Sequence, residues 1–353
     1  MRYSFLDLLA DPVDGTSLSL CAEKVIDNPI PEPYCPAPED GQVARNLQKE
    51  ITSGFLVSET GRWYPIIDGI PEVLPDQLRD WDRDLDILKN ADVPPYFRAH
   101  FESVARNANR SPQAGDNYKA AEISLLDKVD DRASFTGPGL LSPFNPYAFH
   151  HSSELIRGFG CCIPFMKLDH RATVLDSGSG YCWTTEWFMK MGVRAVGVEI
   201  NREYVQVGLR RMGVNQPEII IADAENLPFK ASVFDAVLGF DAFHHIPNRE
   251  RGMEEFSRVL RCGGGVTLVE PGEAHEADPV SQAVMEKYGN LERGMSLQDV
   301  ADYVRELPYS QPEEHFLMSV SPGLVVDTPS RDFIGWSLFT TQRQPRVGSG
   351  APG

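Results

Sequence analysis

Three acidic residues each end a short apolar run, and glycines follow the first of them. Asp176 ends VLD and precedes Gly178 and Gly180, whereas Glu199 lies in AVGVEI and Asp223 ends EIIIAD. Glycines after a strand permit a tight turn and let a ligand approach the N-terminus of the next helix. Carboxylates at strand ends accept hydrogen bonds from ribose hydroxyls or an adenine amino group. The pattern therefore predicts a site for a nucleoside-containing ligand.

A dinucleotide is the competing ligand, because a lone G-x-G pair also occurs in dinucleotide sites and in ordinary turns. A dinucleotide site predicts a third glycine at position 183, which is Trp183. The indole would obstruct the close approach of a pyrophosphate to the helix. A cofactor without phosphate needs only room for an amino acid carboxylate and amine, and Asp176 can face that amine.

The surrounding stretch alternates apolar segments with amphipathic ones. The segments ATVLDSG, AVGVEI, EIIIAD, FDAVLGF and GVTLVEP have strand character, and TTEWFMKMG, YVQVGLRRMG and RERGMEEFSRVLRCG have helical spacing. This alternation predicts a doubly wound parallel sheet, with the strand ends facing one ligand. The predicted fold class is α/β: a Rossmann-like, mostly parallel sheet, with a small N-terminal β-rich module and a helical connector.

Five segments carry a family resemblance: VLDSGSGYCW, VGVEIN, ADAENLPF, FDAVLGFDAFHHI and RVLRCGGGVTLVEPG. Together they resemble class I methyltransferases that use S-adenosylmethionine (SAM), in the broad small-molecule group that includes quinone-biosynthesis enzymes. The resemblance covers residues 172–272 and implies SAM as cofactor and methyl transfer as reaction. It implies cofactor contacts at Asp176, Gly178, Gly180, Glu199, Asp223 and Ala224. The predicted set adds their neighbours Ser177, Ser179, Ile200, Glu225, Gly239 and Phe240.

Acid–base residues are needed only when the methyl acceptor is a hydroxyl or a protonated amine. His244 and His245, just after the fourth strand of the series, are the predicted catalytic residues, and Tyr181 and Glu270 are further candidates. A His-His pair at this place in the family also commonly caps and packs the next helix, so both interpretations stay open. A lid over the cofactor, or simple packing, is the expectation for Tyr147, His150 and His151.

The N-terminal segments LLADPVDGTSLSL and GRWYPIIDGIPEVLP resemble a second family, the zinc-ribbon-like activators of certain tRNA and release-factor methyltransferases. Those activators carry cysteine pairs before the YPI-x-DGIP run. Here Asp11 and Asp14 stand at the matching positions, so the resemblance implies the fold without its metal. The predicted domains are this module at 1–80, the connector at 81–142, the methyltransferase domain at 143–345 and a disordered tail at 346–353.

The acceptor is predicted to be a small molecule, and the run from EPG to YGNLER weakly resembles methyltransferases found with polysaccharide-assembly enzymes. A sugar or glycolipid hydroxyl is therefore the leading expectation. The N-terminal module favours a different acceptor, tRNA or a protein, although the N-P-P-Y type motif of protein-glutamine enzymes is replaced by Gly239-Phe240-Asp241-Ala242. A catalytically silent SAM-binding scaffold is a further alternative.

Composition limits the partners. The 353-residue chain has a formal net charge of −18, which disfavours a nucleic acid partner. It has no apolar run long enough to cross a bilayer and no basic leader, so a cytoplasmic protein is expected. Its six cysteines lack paired C-x-x-C spacing, so no metal site is predicted. The oligomeric state stays open.

Overall fold

A computed structural model describes residues 1–28, 49–145, 149–212, 218–317 and 336–345. The predicted tail and the predicted lid residue Tyr147 lie outside these ranges. Within them, eleven strands form one sheet in the order β1-β2-β3-β4-β7-β6-β5-β8-β9-β11-β10. The strands are β1 (Leu18–Asp27), β2 (Lys49–Ser58), β3 (Trp63–Ile67), β4 (Ile70–Val73), β5 (Thr173–Ser177), β6 (Arg194–Glu199), β7 (Glu218–Ala222), β8 (Phe234–Phe240), β9 (Leu260–Pro271), β10 (Glu313–Leu317) and β11 (Trp336–Gln342).

Helices lie between and around these strands. They are α1 (Trp81–Asn90), α2 (Pro95–Asn107), α3 (Asp116–Ile123), α4 (Arg132–Leu141), α5 (Phe149–Met166), α6 (Trp183–Lys190), α7 (Arg202–Met212), α8 (Arg249–Val259), α9 (Pro279–Tyr288) and α10 (Leu297–Val304). Short 3-10 turns occur at Phe243–His245 and Glu273–Ala277. Among the described residues, none of these helices has the length and apolar character needed to span a membrane.

The middle of the sheet is parallel, and it carries the predicted ligand-facing residues. Strands β7, β6, β5, β8 and β9 run parallel, and β11 and β10 follow antiparallel. Because parallel strands share one carboxyl edge, Ser177, Glu199 and Phe240 end their strands on the same side of the sheet. The α/β fold predicted from the alternating pattern is confirmed.

One predicted boundary was wrong. Helix α8 ends at Val259, although helical spacing continued through Gly263. Leu260 is fully buried and pairs with β8, and Gly263 has φ +87, which a helix cannot hold. Helix α4 lies at the end of the predicted helical connector, and Arg132 at its start binds the Glu203 carboxylate on α7.

The N-terminal strands are continuous with this sheet. Strands β1 to β4 pair antiparallel in sequence, and β4 then pairs parallel with β7, placing Glu72 beside Ile221. Buried side chains of both parts share one hydrophobic cluster, which includes Leu9, Tyr64 and Val196. Strand β7 is therefore an interior strand of the sheet.

Hydrogen bonds hold the turn where the resembling activators carry cysteines. Asp11 is buried, and its carboxylate accepts bonds from the Val13 backbone N–H at 2.8 Å and from the Tyr64 hydroxyl at 3.1 Å. The Asp14 carboxylate accepts a bond from the Thr60 hydroxyl at 2.6 Å. These carboxylates therefore link the DPVDG turn to the hairpin formed by β2 and β3.

The connector helices pack in two places. Helices α1 and α2 cover the module, where Trp63 stacks on Phe101 with ring centroids 5.3 Å apart and donates its indole N–H to the Phe101 carbonyl. Helix α3 instead reaches the carboxyl edge of the parallel strands. The Asn201 side-chain amide donates to the Glu122 carbonyl at 2.7 Å, which fixes α3 beside the end of β6.

Candidate functional site

A cavity of about 310 Å³ lies at the carboxyl edge of the parallel strands. The predicted cofactor contacts that line it are Ser177, Gly178, Gly180, Glu199, Ile200, Asp223 and Ala224. Those placed outside its wall are Asp176, Ser179, Glu225, Gly239 and Phe240. Several further residues line the cavity and were not predicted from the sequence, among them Lys119 and Glu122 on α3, Tyr204 on α7, Asp241 and Glu292.

The glycine loop between β5 and α6 forms the floor of the cavity. Gly178 has φ +73, and a Cβ there would lie 2.3 Å from the Cβ of Ala242. The Gly178 and Ser179 N–H groups donate to the Val198 carbonyl at 2.8 and 2.9 Å, which fastens the loop to β6. The buried Ser177 hydroxyl, which lines the cavity, has no hydrogen-bond partner among the described residues. Within the described part of the chain it is an unpaired polar group next to the cavity.

Glu199 at the end of β6 is held by three backbone donors. Its Oε2 accepts from the Gly180 N–H at 2.8 Å, and its Oε1 accepts from the N–H groups of Ile200 and Asn201 at 2.9 and 2.8 Å. Burial raises the pKa of this carboxyl, and the backbone bonds oppose that rise. The carboxylate is thus fixed in orientation at the cavity wall before any ligand arrives.

Asp176 lies beneath the loop rather than at the cavity wall. Its carboxylate accepts bonds from the hydroxyls of Thr184, at 2.6 Å, and Thr185 on α6. Burial raises its pKa to about 6, although the threonine bonds act in the opposite direction. In this position Asp176 connects the loop to α6, and its predicted contact with the cofactor stays a prediction.

Two other predicted contacts belong to the core behind the cavity. A Cβ on Gly239 would lie 2.8 Å from a methyl carbon of Leu268. The Phe240 ring packs edge-on against Trp183 with centroids 5.2 Å apart. The indole at position 183 therefore contributes to packing between α6 and the sheet.

The carboxylate of Asp223 is paired with a lysine from α3. The Lys119 ammonium lies 2.8 Å from Asp223 Oδ2 and 2.6 Å from Glu225 Oε2, and all three side chains are buried. The backbone N–H of Glu225 donates to Asp223 Oδ1 at 3.0 Å. Nothing in the spacing of the sequence links residue 119 to residue 223, so this contact could not be predicted.

The two predicted catalytic histidines occupy different positions. His245 lines the cavity, and its Nδ1 is hydrogen-bonded to the Leu291 carbonyl. His244 is buried behind it, with Nδ1 2.7 Å from the Glu270 carboxylate. Burial lowers the pKa of His244, but the carboxylates of Glu270 and Glu292 outweigh burial and raise it to about 10. Burial and the nearby His244 lower the pKa of His245 to about 4.

The sequence also matches known proteins. Residues 175–268 match the Methyltransf_11 family, described as a methyltransferase domain. Methyltransferase GfsG of Streptomyces halstedii is 30% identical over 203 residues, covering 55% of this chain and 70% of that protein. A sarcosine/dimethylglycine N-methyltransferase of Halorhodospira halochloris is 32% identical over 120 residues, covering 32% of this chain and 43% of that enzyme.

Among solved structures, the 1,6-didemethyltoxoflavin-N1-methyltransferase of Burkholderia thailandensis, with bound 1,6-didemethyltoxoflavin and S-adenosylhomocysteine, aligns with TM-score 0.46 and 15% identity, covering 67% of this chain and 94% of that one. The cavity here offers a free hydroxyl, a glycine loop and fixed carboxylates, which fit a ligand with an amino acid and a nucleoside part. The chain belongs to the class I SAM-dependent methyltransferases.

Proposed function

We propose that this enzyme methylates a hydroxyl of a small-molecule acceptor, with a sugar or glycolipid as the leading class. The observation that carries the proposal is the polar wall of the cavity formed by Glu122, Asp241, His245 and Glu292. Such groups accept hydrogen bonds from hydroxyls and can orient them.

Residues at the strand ends are assigned to the ribose, the adenine and the methionine part of SAM. Glu199, oriented by three backbone donors, accepts bonds from the ribose hydroxyls, and Asp223 accepts from the adenine amino group. The Ser177 hydroxyl and the glycine loop hold the methionine end. SAM supplies an already activated methyl group on its sulfonium. The protein therefore has to align the acceptor and exclude water.

His245 is assigned to the acceptor hydroxyl. Because its Nδ1–H donates to the Leu291 carbonyl, its Nε2 carries the free lone pair of a neutral imidazole. The low pKa of His245, about 4, keeps that nitrogen unprotonated, so it can accept a hydrogen bond from the acceptor hydroxyl. As the acceptor oxygen bonds the methyl carbon, the methyl–sulfur bond breaks and S-adenosylhomocysteine leaves; the proton on the now acidic oxygen then passes to His245. His244 is not assigned a contact with the acceptor, because its ring is buried behind His245 and hydrogen-bonded to Glu270.

The test is product analysis. The full chain would be incubated with SAM and separate panels of hydroxylated small molecules, monosaccharides, glycolipids, amines and tRNA. Mass spectrometry would locate any added methyl group. We expect S-adenosylhomocysteine to form with oxygen methylation in a hydroxylated panel, and His245→Ala to lower kcat about 100-fold with SAM binding unchanged.

The exposed His170 gives the matched control, because His170→Ala leaves the cavity untouched. Methylation only of amines would contradict the hydroxyl assignment, and methylation only of tRNA would favour the macromolecular alternative. SAM binding without turnover in any panel would favour the silent scaffold.

A further inference from the structure

Three side chains meet behind the acceptor wall of the cavity. His244 comes from the 3-10 turn after β8, His275 from the 3-10 turn after β9, and Glu292 from the segment between α9 and α10. Each offers one ligand atom, and the three atoms lie within 4.8 Å of one another. Glu292 Oε2 lies 3.5 Å from His244 Nε2 and 2.9 Å from His275 Nε2.

A second carboxylate orients the buried member of this group. Glu270 is fully buried, bonds His244 Nδ1 at 2.7 Å, and accepts the backbone N–H groups of Phe243 and Ala242 at 2.9 and 3.2 Å. With Nδ1 engaged, His244 presents Nε2 to Glu292. A carboxylate that holds the far nitrogen of an imidazole is the usual outer partner of a metal-bound histidine.

We propose that His244, His275 and Glu292 bind one divalent transition-metal ion of the zinc type. Two imidazole nitrogens and one carboxylate are a donor set that such ions prefer, whereas Mg²⁺ prefers oxygen ligands. Ligands of a tetrahedral zinc ion, with bonds of about 2.0 Å, stand about 3.3 Å apart. The two separations of 3.5 and 2.9 Å bracket that value. The three residues are too widely spaced in the sequence to form a metal-binding motif, and no metal site was predicted from it.

The ion would connect three separate segments at the cavity wall. Glu292 lines the cavity, so the ion would fix one of its acceptor-side groups and leave a fourth coordination position for water or the acceptor. Binding requires neutral imidazoles and would displace the proton that His244 shares with its two carboxylates. The role toward the acceptor rests on the proposed function; ion binding itself does not.

Calorimetry with Zn²⁺ on the chelator-treated full chain tests the site. We expect one ion per chain, a Zn²⁺-dependent rise in unfolding temperature, and a Co²⁺ complex with the visible absorption of a tetrahedral site. His275→Ala should lower Zn²⁺ affinity at least tenfold and abolish the rise, and Glu270→Gln should lower affinity about 10-fold or more. His170→Ala should bind like the unchanged protein.

Failure of the metal site is distinguishable from failure of the methyltransferase proposal, because SAM binding would be measured on the same samples. Absence of Zn²⁺ binding, or binding that His275→Ala leaves unchanged, would overturn the inference. Displacement of Zn²⁺ by millimolar Mg²⁺ would also overturn it, since that result indicates oxygen ligands elsewhere on this acidic chain.

Discussion

The Lys119 ammonium lies 2.8 Å from the carboxylate of Asp223, joining a helix of the connector to a strand end at the cofactor cavity. It bonds Glu225 as well, at 2.6 Å. Helix α3 therefore closes the side of the cavity proposed to hold the adenine. The connector, predicted only as a helical segment, therefore contributes to the site.

Lys119→Met should destabilise the protein. Removing the ammonium leaves two buried carboxylates close together without a counter-charge, a change that typically costs about 3–5 kcal/mol. The free energy of unfolding would be measured with urea and tryptophan fluorescence. The control is Lys190→Met, since Lys190 is exposed and pairs with Glu186 at 2.9 Å; we expect less than about 1 kcal/mol there. If Lys119→Met and Lys190→Met lower the free energy of unfolding equally, burial of the ion pairs of Lys119 adds nothing to their effect on stability.

Glu199→Gln should weaken SAM binding at least tenfold. Both oxygens of the Glu199 carboxylate accept hydrogen bonds from backbone N–H groups. In Glu199→Gln the side-chain NH₂ group would face one of these N–H donors in either orientation of the amide. The ribose would also lose a charged acceptor, which is worth about 1.5–3 kcal/mol. Calorimetry with SAM and S-adenosylhomocysteine would measure the loss. Glu203→Gln, at a partly exposed position on α7, should bind normally. Unchanged affinity in Glu199→Gln would refute the ribose assignment.

Asp176 should make stability fall as pH rises from about 4 to about 6. Its pKa is about 6 in the folded protein and ordinarily 3.8, so the folded state holds this proton more tightly than the unfolded state. Asp176→Asn removes the titration. Its stability relative to the unchanged protein should increase by about 3 kcal/mol between pH 4 and 7.

Urea unfolding at several pH values would measure that difference. Thr185→Val removes one donor to the same carboxylate, so it should raise the pKa of Asp176 further and extend the decline to higher pH. If the free energy of unfolding changes with pH by the same amount in Asp176→Asn and in the unchanged protein, the pKa assigned to Asp176 is wrong.

Deleting residues 1–80 should abolish solubility. The deletion leaves the β4-facing edge of β7 without a partner strand and exposes apolar side chains that pack in the shared cluster, such as Val196 and Ile220. Size-exclusion chromatography would detect aggregation, and co-expression of residues 1–80 as a separate chain should restore a soluble complex. A monomeric truncated protein with unchanged SAM affinity would show that the N-terminal strands are dispensable.

The parallel strands could be predicted because each signal was local. The apolar runs ending near Asp176, Glu199 and Asp223 correspond to β5, β6 and β7. Local patterns could not show which side chains face the cavity. Asp176 turns toward Thr184 and Thr185, and this depends on how α6 packs.

Contacts between distant segments were beyond the reach of the sequence. Lys119 and Glu122 enter the cavity from a helix whose spacing indicates only an amphipathic segment. Glu292 meets His244 although α8, β9, a 3-10 turn and α9 lie between them in the sequence. Such contacts arise from tertiary packing, which leaves no periodic signal in one sequence.

The pairing of Glu72 with Ile221 has a consequence for synthesis of the protein. Strand β4 emerges from the ribosome well over a hundred residues before its partner β7, and β7 in turn needs β6 beside it. During that interval one edge of the early strands stays open on the nascent chain, where it can pair with a neighbouring chain. Completion of the sheet waits still longer, for β11 at Trp336–Gln342, so the supply of chaperones during translation should affect the yield.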